Sequence, residues 1–353
     1  MNLISGEKID IVISSPFATD YQLSVEFYAL LKEKVRLVFW MWDDEAYFDA
    51  FSKYYCQVAD AVISCDYFSI PAYTKLGVPA ILYLTAFSKN IYYPVESVKN
   101  IDVCFIGGCG QNDRMEYINF LIENGINIET FGIGSKNGFV EWNEFSKILS
   151  RSKIILNFNK VDTLDWINRD EPLLNRVRQS GWHYCESALT KSFCLAEYTP
   201  DLNFIAEIGK EIDVFYNKYD LLKKIKYYLA NAREREAMAE KAYKRAITNY
   251  VPEITIPKVL KELEGNINEQ KFTPHQSGAG FAGTKIFLSR NFRKNSINGL
   301  TFDMFVLIKN GKLKYALETF FMLFRYGYFI FVPGFWGGLK RVLTSIRAKF
   351  KNA

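Results

Sequence analysis

The feature that most constrains the fold is a regular alternation of short apolar segments with segments of helical periodicity. The first part of the chain contains four apolar runs that fit buried strands, at residues 9–15, 35–40, 60–65 and 79–84. Helical patterns separate these runs, such as residues 45–59, in which apolar side chains recur at helical spacing. Continuous apolar strands separated by single helices are typical of parallel sheets that are covered on both faces. The sequence therefore predicts an α/β fold with a parallel sheet.

The same alternation begins again near residue 102 and continues to about residue 250. Its apolar runs predict five more strands, at residues 102–108, 127–134, 153–159, 193–199 and 211–216. Predicted helices lie at residues 113–124, 141–150, 201–208, 219–231 and 233–249, and a further helix begins near Gly181. We therefore predict two doubly wound, Rossmann-like domains, a trimmed first domain at 1–98 and a second at 99–265, followed by a linker and tail at 266–353.

Residues 176–202 carry the strongest indication of a ligand site, because a helix begins there after a predicted strand and a long polar loop. Ser180 and Gly181 supply backbone amide groups at the start of this helix, which is a position where diphosphates bind. Arg176 and Arg178 precede the helix, and arginine binds phosphate oxygens in a bidentate manner. The alternatives are that Ser180 and Gly181 only cap the helix and that both arginines are solvated loop charges.

Glu186 lies further along the same helix, about one and a half turns from its start. Its carboxylate can accept hydrogen bonds from the hydroxyl groups of a nucleotide ribose. The alternative is a glutamate on the helix surface that pairs with Lys191 or Arg178. His183 lies three residues before Glu186, and a lone histidine is more typical of packing or capping than of a ligand site.

The turn after the predicted strand 102–108 is a second candidate for contacts to phosphate. It contains Gly107 and Gly108, and Arg114 begins the helix that follows. We expect Arg114 to contact phosphate together with backbone amide groups, and the alternative is a surface arginine at a helix start. No complete GxGxxG motif follows a strand, so a dinucleotide site is not expected.

Polar residues at the ends of two other strands are candidates for contacts to a sugar and for acid–base chemistry. Glu197, Tyr198 and Thr199 end the predicted strand 193–199 and are expected to contact the sugar of a nucleotide donor. Asp43 and Asp44 follow an apolar strand of the first domain, where either aspartate can act as general base for an acceptor hydroxyl. The alternative is a capping role at the helix 45–59, for which Asp44 is well placed.

Two doubly wound domains with a nucleotide signature in the second predict the GT-B architecture, in which the carboxyl edges of both sheets face a cleft. Several motifs follow one another in the second domain, namely DVCFIGG with Arg114, ILNFN, CESALTKSFCLAEYTPDL, GKEIDVFY and YDLLKKIKYYLANAREREAMAEKAYKRA. As a set, these motifs resemble the CgeB-like, or spore-protein-type, glycosyltransferases, which are GT-B nucleotide-sugar transferases. The resemblance covers most of residues 102–250 and, more faintly, residues 40–79.

The chain departs from the family pattern at two positions. The family helix usually reads Phe-Glu-Ala before a glycine, whereas this chain reads Cys-Glu-Ser, and Lys191 stands where the glycine is common. Retaining GT-B enzymes carry two glutamates eight positions apart. Glu186 resembles the second of these, which binds the donor ribose, and Arg178 stands in place of the first.

The resemblance implies a metal-independent glycosyltransferase without a cofactor. Its donor would be a nucleotide sugar, and its acceptor a lipid-linked or cell-surface glycan. The composition agrees, since the chain has two histidines and no spaced cluster of hard oxygen ligands for a divalent cation. A non-catalytic GT-B-like assembly protein and a nucleotide-sugar epimerase are the alternatives. The base, the sugar, the stereochemistry and the oligomeric state stay open.

The tail differs from the rest of the chain in its charge. Residues 277–353 contain 13 lysines and arginines against 2 acidic residues, although the formal charge of the whole chain is only +5. The uncharged run 326–339 is shorter than the roughly 20 residues of a membrane-spanning helix. Residues 339–350 form a basic amphipathic pattern, which predicts binding of an anionic membrane through residues 315–353. The alternative is packing on the body of the protein or on a second subunit, and nucleic acid is not expected.

The expected location follows from the cysteines and from the amino-terminal residues. The six cysteines show no metal-binding spacing and are interpreted as reduced core residues, which favours the cytosol. The first ten residues lack the pattern of a signal peptide. We therefore expect a cytoplasmic protein that is peripheral on the inner face of the cell membrane.

Overall fold

The structure is a computed structural model that describes residues 9–16, 28, 31–83, 86–160, 178–180 and 183–269, together with individual residues between 304 and 320. The described chain forms two compact units. The first includes the described residues up to Leu82 and from Leu263 onward, and the second includes the described residues from Tyr83 to Glu262. The domain limits at residues 98 and 265 stay predictions, and most of the predicted tail lies outside the described residues.

The first unit contains a four-stranded parallel sheet whose strands are neighbours in chain order. The strands are β1 (Ile11–Ser14), β2 (Arg36–Met41), β3 (Ala61–Ser64) and β4 (Ala80–Leu82). Ile13 pairs with Val38, and Trp40 pairs with Ile63, which fixes the register of the first three strands. Every residue of β3 is buried, as expected for a central strand that is covered on both faces. The parallel sheet predicted from the apolar runs is confirmed.

The helical segment after β2 is interrupted, although its periodicity predicted one helix at residues 45–59. It consists of α1 (Asp44–Tyr47), a π-helical segment (Phe48–Ser52), α2 (Lys53–Tyr55) and a 3₁₀ segment (Cys56–Val58). The ring of Phe51 stacks on Tyr55 with 4.5 Å between centroids, and Tyr55 also contacts Phe39 of the sheet. Aromatic packing here overrides the regular hydrogen-bond pattern of an α-helix. The sequence pattern also missed the short helix α3 (Ile70–Lys75) before β4.

The second unit contains a five-stranded parallel sheet with a reversal in strand order. The strands are β5 (Ile101–Ile106), β6 (Ile128–Phe131), β7 (Ser152–Asn157), β8 (Phe193–Glu197) and β9 (Asp213–Phe215). Their order is β6-β5-β7-β8-β9, so the first strand of the unit lies between the second and the third. The connections after β5 and β7 therefore lead away from each other. In such sheets the carboxyl edge at the reversal is where ligands bind.

Helices cover both faces of this second sheet, as predicted for a doubly wound unit. They include α4 (Arg114–Glu123), α5 (Trp142–Arg151), α6 (His183–Leu189), α7 (Leu202–Ile205), α8 (Lys218–Ala230) and α9 (Ala232–Asn249). A further helix, α10 (Pro252–Glu269), follows α9 along the chain. On one face, Ala188 of α6 and Ala242 of α9 belong to the same buried cluster as Cys194 of β8. On the other face, Leu121 of α4 and Ile225 of α8 share a cluster with Val103 of β5.

Local sequence fixes several of these limits. Asn217 caps α8, because its side chain accepts hydrogen bonds from the backbone amides of Tyr219 and Asp220, both at 3.0 Å. Gly125 follows α4 with a φ of 77°, a conformation that glycine adopts without strain. All six cysteines are buried and free, which confirms their interpretation as core residues. The sequence pattern did not predict α10.

Candidate functional site at the carboxyl edge of the second sheet

The turn after β5 is formed by a close approach of two glycines. The amide of Gly107 donates to the carbonyl of Phe131 at 2.8 Å, and the amide of Cys109 donates to the carbonyl of Ile133 at 3.0 Å. Gly132 has a φ of 110°, and a Cβ atom there would overlap the carbonyl oxygen of Gly107. The predicted Gly107–Gly108 turn is thus held backbone to backbone against the turn after β6. The close approach of the two turns leaves no room for a side chain at position 132.

Arg114 closes this turn from the side of α4. Its guanidinium donates to the carbonyl of Gly108 at 3.0 Å and to the side-chain oxygen of Gln111. It also lies over the Phe105 ring, 5.7 Å from the centroid. Arg114 is half-buried, in contrast to the solvated surface arginine that was the alternative. The structure therefore places its positive charge at the carboxyl end of β5.

Glu197 connects three segments at the end of β8. It is only 7% exposed, and its Oε1 atom accepts a hydrogen bond from Nε of Arg178 at 2.6 Å. Its Oε2 atom accepts from the backbone amides of Asn159 and Lys160 at 3.0 and 3.1 Å. The loop after β7, the end of β8 and Arg178 are therefore fixed by one carboxylate.

The loop after β7 also reaches the turn after β5, on the other side of the strand reversal. Lys160 pairs with Asp113 at 3.2 Å between Nζ and Oδ2, and its carbonyl accepts from the side chain of Asn112 at 3.1 Å. An isolated antiparallel bridge joins Lys160 to Arg178. Two predicted phosphate ligands, Arg114 and Arg178, are thus tied to loops that leave β5 and β7.

Two of the remaining predicted residues, Ser180 and Thr199, contact Asp201, which the sequence pattern did not indicate. Asp201 is buried and accepts a hydrogen bond from the amide of Ser180 at 2.7 Å. Its other oxygen accepts from the hydroxyl of Thr199. The ring of Tyr198 is half-buried and lies 5.2 Å from the ring of Tyr216. Two further predicted residues, Arg176 and Gly181, lie outside the described residues.

Glu186 lies on α6 and is bound at both of its carboxylate oxygens. Its Oε1 atom accepts from the hydroxyl of Tyr92 at 3.0 Å, and its Oε2 atom lies 2.7 Å from Nδ1 of His183. The carboxylate is buried, because the whole residue is only 8% exposed. The alternative pairing is wrong: Lys191 pairs with Glu240 at 3.0 Å, and Arg178 pairs with Glu197. Glu186 is therefore a fixed interior carboxylate and not a surface charge.

His183 lies close to the residues of the β5 turn. Its ring is 6.1 Å from the Phe105 ring between centroids, and Phe105 is the side chain over which Arg114 lies. The start of α6 and the turn after β5 are therefore neighbours at the carboxyl edge. Arg114, Phe105, His183 and Glu186 are thus linked by successive contacts, and the prediction that Arg114 and Glu186 serve one ligand site stays a prediction.

The two aspartates of the first unit have different environments. Asp43 follows β2, is half-buried and has a left-handed conformation with a φ of 55°. It occupies the N-cap position of α1 without a side-chain cap hydrogen bond, so the capping position belongs to Asp43 and not to Asp44. Asp44 is 1% exposed, and its Oδ2 atom accepts from the hydroxyls of Ser64 at 2.6 Å and Tyr73 at 2.7 Å. Burial raises the pKa of Asp44 to about 6.

Within the described ranges, no three His, Cys, Asp or Glu side chains lie together in a way that could hold a metal ion. No helix of the described part of the chain combines the length and the apolar character that crossing a membrane requires.

Comparison with known proteins places the fold. Residues 115–260 match the family model described as glycosyl transferase-like, and no curated protein sequence matches the chain. Three similar solved structures illustrate the likeness of fold. HepE of Anabaena has a TM-score of 0.55 and 11% identity, and the match covers 76% of this chain and 80% of that one. Sucrose-phosphate synthase of Thermosynechococcus elongatus has a TM-score of 0.55 and 9% identity, with 76% of each chain covered.

A glycosyltransferase of Rickettsia africae has a TM-score of 0.53 and 11% identity, with 76% of this chain and 80% of that chain covered. Identities this low show the fold alone. The α/β fold with parallel sheets matches that of GT-B glycosyltransferase structures. The glycosyl transferase-like match begins within α4, directly after Arg114, and it contains α6 and β8, which carry Glu186 and Glu197.

Proposed function

We propose that the protein is a glycosyltransferase of the CgeB-like branch that moves a sugar from a nucleotide-sugar donor to a lipid-linked or cell-surface glycan acceptor. One observation carries the proposal. Arg178 and the buried Glu186 belong to the segment that matches the glycosyl transferase-like family, and Arg114 directly precedes that segment. All three residues follow strands of a sheet whose carboxyl edge, at the reversal of strand order, is where ligands bind in such folds. HepE of Anabaena, which shares the fold, forms a complex with UDP-glucose.

In this proposal the second unit binds the donor. Arg114 and Arg178 stabilise the negative charge of the leaving diphosphate, which is the largest electrostatic demand of the reaction. Glu186 accepts hydrogen bonds from the ribose. Tyr198 directly follows β8, and its half-buried side chain contacts the donor sugar. Glu197 serves as the anchor of Arg178, because both of its oxygens already accept hydrogen bonds.

The transfer itself needs a base for the acceptor. The acceptor oxygen forms a bond to the anomeric carbon, and the bond from that carbon to the diphosphate oxygen breaks. The diphosphate leaves with the electron pair, and the acceptor proton passes to a carboxylate. We assign this role to Asp43, since the carboxylate of Asp44 is buried beneath Ser64 and Tyr73. The resemblance implies that no metal ion takes part.

Nucleotide release tests the proposal against its alternatives. The protein is incubated with a panel of nucleotide sugars, with and without a membrane lipid extract. Free nucleoside diphosphate that appears only with the extract is expected for a glycosyltransferase. Isomerisation of the donor without an acceptor would indicate an epimerase. A protein whose melting temperature is unchanged by every nucleotide would be a non-catalytic assembly protein.

Replacement of Glu186 is expected to weaken nucleotide binding. In Glu186→Gln the charged acceptor becomes a neutral amide, and the loss of a charge-assisted hydrogen bond corresponds to about 2 kcal/mol, or about thirtyfold in Kd. Isothermal titration with nucleoside diphosphates measures the change. Glu240→Gln is the matched control, because Glu240 is a half-buried glutamate that, among the described residues, forms ion pairs with Lys191 and Lys244 and lies outside the proposed donor site. Equal affinities for Glu186→Gln and the unchanged protein would contradict the role of Glu186.

The proposed cellular location rests on the tail sequence. A cluster of basic residues beside apolar positions in 315–353 supports binding to the anionic inner face of the cell membrane. Deletion of residues 311–353 is expected to reduce co-sedimentation with vesicles that contain phosphatidylglycerol at least tenfold. Vesicles of phosphatidylcholine alone are the control for charge. Unchanged sedimentation of the shortened protein with anionic vesicles would show that the membrane contact lies elsewhere.

A further inference from the structure

The carboxylate of Glu186 is held by two donors that come from different parts of the second unit. Tyr92 lies in the connector between β4 and β5, 94 positions before Glu186, and its hydroxyl is 3.0 Å from Oε1. His183 is the first residue of α6, and its Nδ1 atom is 2.7 Å from Oε2. Burial and the nearby Glu186 carboxylate raise the pKa of Tyr92 well above its ordinary value. The phenol therefore keeps its proton and donates a hydrogen bond to the carboxylate.

The connector that carries Tyr92 is itself fixed to the body of the unit. The amide of Tyr93 donates to the hydroxyl of Ser146 at 3.0 Å, and that hydroxyl donates to the carbonyl of Ile91 at 2.7 Å. The amide of Val95 donates to the hydroxyl of Ser150 at 3.0 Å. These bonds hold the backbone on both sides of Tyr92 against α5. The position of the Tyr92 hydroxyl is therefore set by a helix and not by a free loop.

The ring of Tyr92 is packed as firmly as its backbone. It is 4% exposed and lies 5.5 Å from the Phe87 ring and 6.2 Å from the Phe145 ring, both at steep angles. The amide of Phe87 donates to the carbonyl of Tyr250 at 2.8 Å, which anchors the start of the connector to the end of α9. A side chain held in this way has one position for its hydroxyl, which is what orientation of a binding group requires.

We infer that Tyr92 and His183 are positioning residues that orient the Glu186 carboxylate toward the 2′ and 3′ hydroxyls of the donor ribose. The inference rests on the proposed function. A carboxylate has about four lone-pair sites, and the two donors occupy one on each oxygen. The remaining site on each oxygen can accept one hydroxyl proton, which matches a vicinal diol. The ligand class is therefore a nucleoside diphosphate with both ribose hydroxyls. The contribution of these hydroxyls to the binding affinity depends on the Tyr92 hydroxyl, because that hydroxyl orients the carboxylate that binds them.

A purely structural role for Tyr92 makes a different prediction. If its hydrogen bond only pins the connector, its loss lowers stability and affects every nucleotide equally. If it orients the carboxylate, its loss weakens only those ligands that carry the hydroxyl groups. The two roles are separated by combining a protein variant with a ligand that lacks the ribose hydroxyls, as in a double-mutant cycle.

The experiment uses the full chain and calorimetric titration with uridine, guanosine, adenosine and cytidine diphosphates and their 2′,3′-dideoxy counterparts. Tyr92→Phe keeps the ring and removes the hydroxyl. We expect it to bind the ribonucleotide about tenfold more weakly and the dideoxynucleotide with unchanged affinity. Tyr93→Phe is the matched control, because Tyr93 is adjacent and exposed and uses its backbone amide in the contact with Ser146.

Substitutions at His183 test the second donor independently of Tyr92. His183→Asn retains a side-chain donor near the position of Nδ1 and is expected to bind within about threefold of the unchanged protein. His183→Ala removes the donor and is expected to lose about tenfold for the ribonucleotide only. Equal losses for both classes of nucleotide, or none in either Tyr92→Phe or His183→Ala, would overturn the inference and leave the proposed function intact. An unchanged protein that binds no nucleoside diphosphate would overturn both.

Discussion

Asp43→Asn is expected to lower kcat for glycosyl transfer by about two to four orders of magnitude, the usual contribution of a positioned general base. The amide is nearly isosteric with the carboxylate but cannot take the acceptor proton. Asparagine also tolerates the left-handed conformation that Asp43 has, with its φ of 55°, so the backbone should not move. The measurement is release of nucleoside diphosphate in the presence of lipid extract, at saturating donor.

The same variant should leave donor binding intact, because the proposed donor residues lie in the second unit. Asp43→Ala provides a second comparison. Alanine lacks the carboxylate and is also strained at a positive φ, so its loss of activity should come with a loss of stability of about 1 kcal/mol. An Asp43→Asn protein that turns over within threefold of the unchanged protein would remove Asp43 from the mechanism. If Asp44→Asn then carried the loss, the base would be the buried aspartate.

The parallel sheets could be predicted from the sequence because their strands are covered on both faces. Such strands need continuous apolar residues, and the run 153–159 indicated β7 to within two residues at either end. The prediction of one continuous helix at 45–59 was wrong because the contacts that decide this segment are not local in sequence. Its periodicity was genuine, but the packing of Phe51 on Tyr55 and of Tyr55 on Phe39 decided the hydrogen bonding, and these contacts depend on the assembled sheet.

The candidate site was predictable to the extent that parallel strands bring their carboxyl ends to one edge. This rule alone placed Gly107, Arg114 and Glu197 near one another. The partners of these residues carried no local signal. Tyr92 is 94 positions from Glu186, and Glu197 is 38 positions from Asn159, so neither contact produces a motif. His183 was three residues from Glu186, and the helical spacing that lets such residues pair was the one available clue.

Asp201 shows a second limit of reasoning from sequence. The amide of Ser180 was expected to face a phosphate, and in the structure it donates to the carboxylate of Asp201 at 2.7 Å. The amide of Ser180 does donate a hydrogen bond to an anion, but this anion is a carboxylate of the chain and not a phosphate. In the proposed donor site, the contacts to phosphate therefore depend more on the side chains of Arg114 and Arg178 than on the amide of Ser180.

Asp44→Asn is expected to stabilise the first unit at neutral pH, by up to about 3 kcal/mol. The pKa of Asp44 is raised from 3.8 to about 6, chiefly by burial, while the hydroxyls of Ser52, Ser64 and Tyr73 lower it. Each pKa unit corresponds to 1.36 kcal/mol. A raised pKa means that the folded state binds the proton more tightly than the unfolded state. The stability from Asp44 is therefore fully present below pH 3.8 and is lost as the pH rises through about 6.

Asparagine is neutral at every pH, and its carbonyl oxygen can still accept from Ser64 and Tyr73. The stability difference between Asp44→Asn and the unchanged protein should therefore be near zero at pH 3 and grow to its full value by pH 7. Hydrogen exchange of residues 36–64 across this range reports the stability of β2 and β3 directly. Asp10→Asn, at an exposed aspartate, is the control and should show no such pH dependence. A difference that is constant with pH would mean that Asp44 is ionised in the folded protein throughout, and that the hydroxyls outweigh its burial.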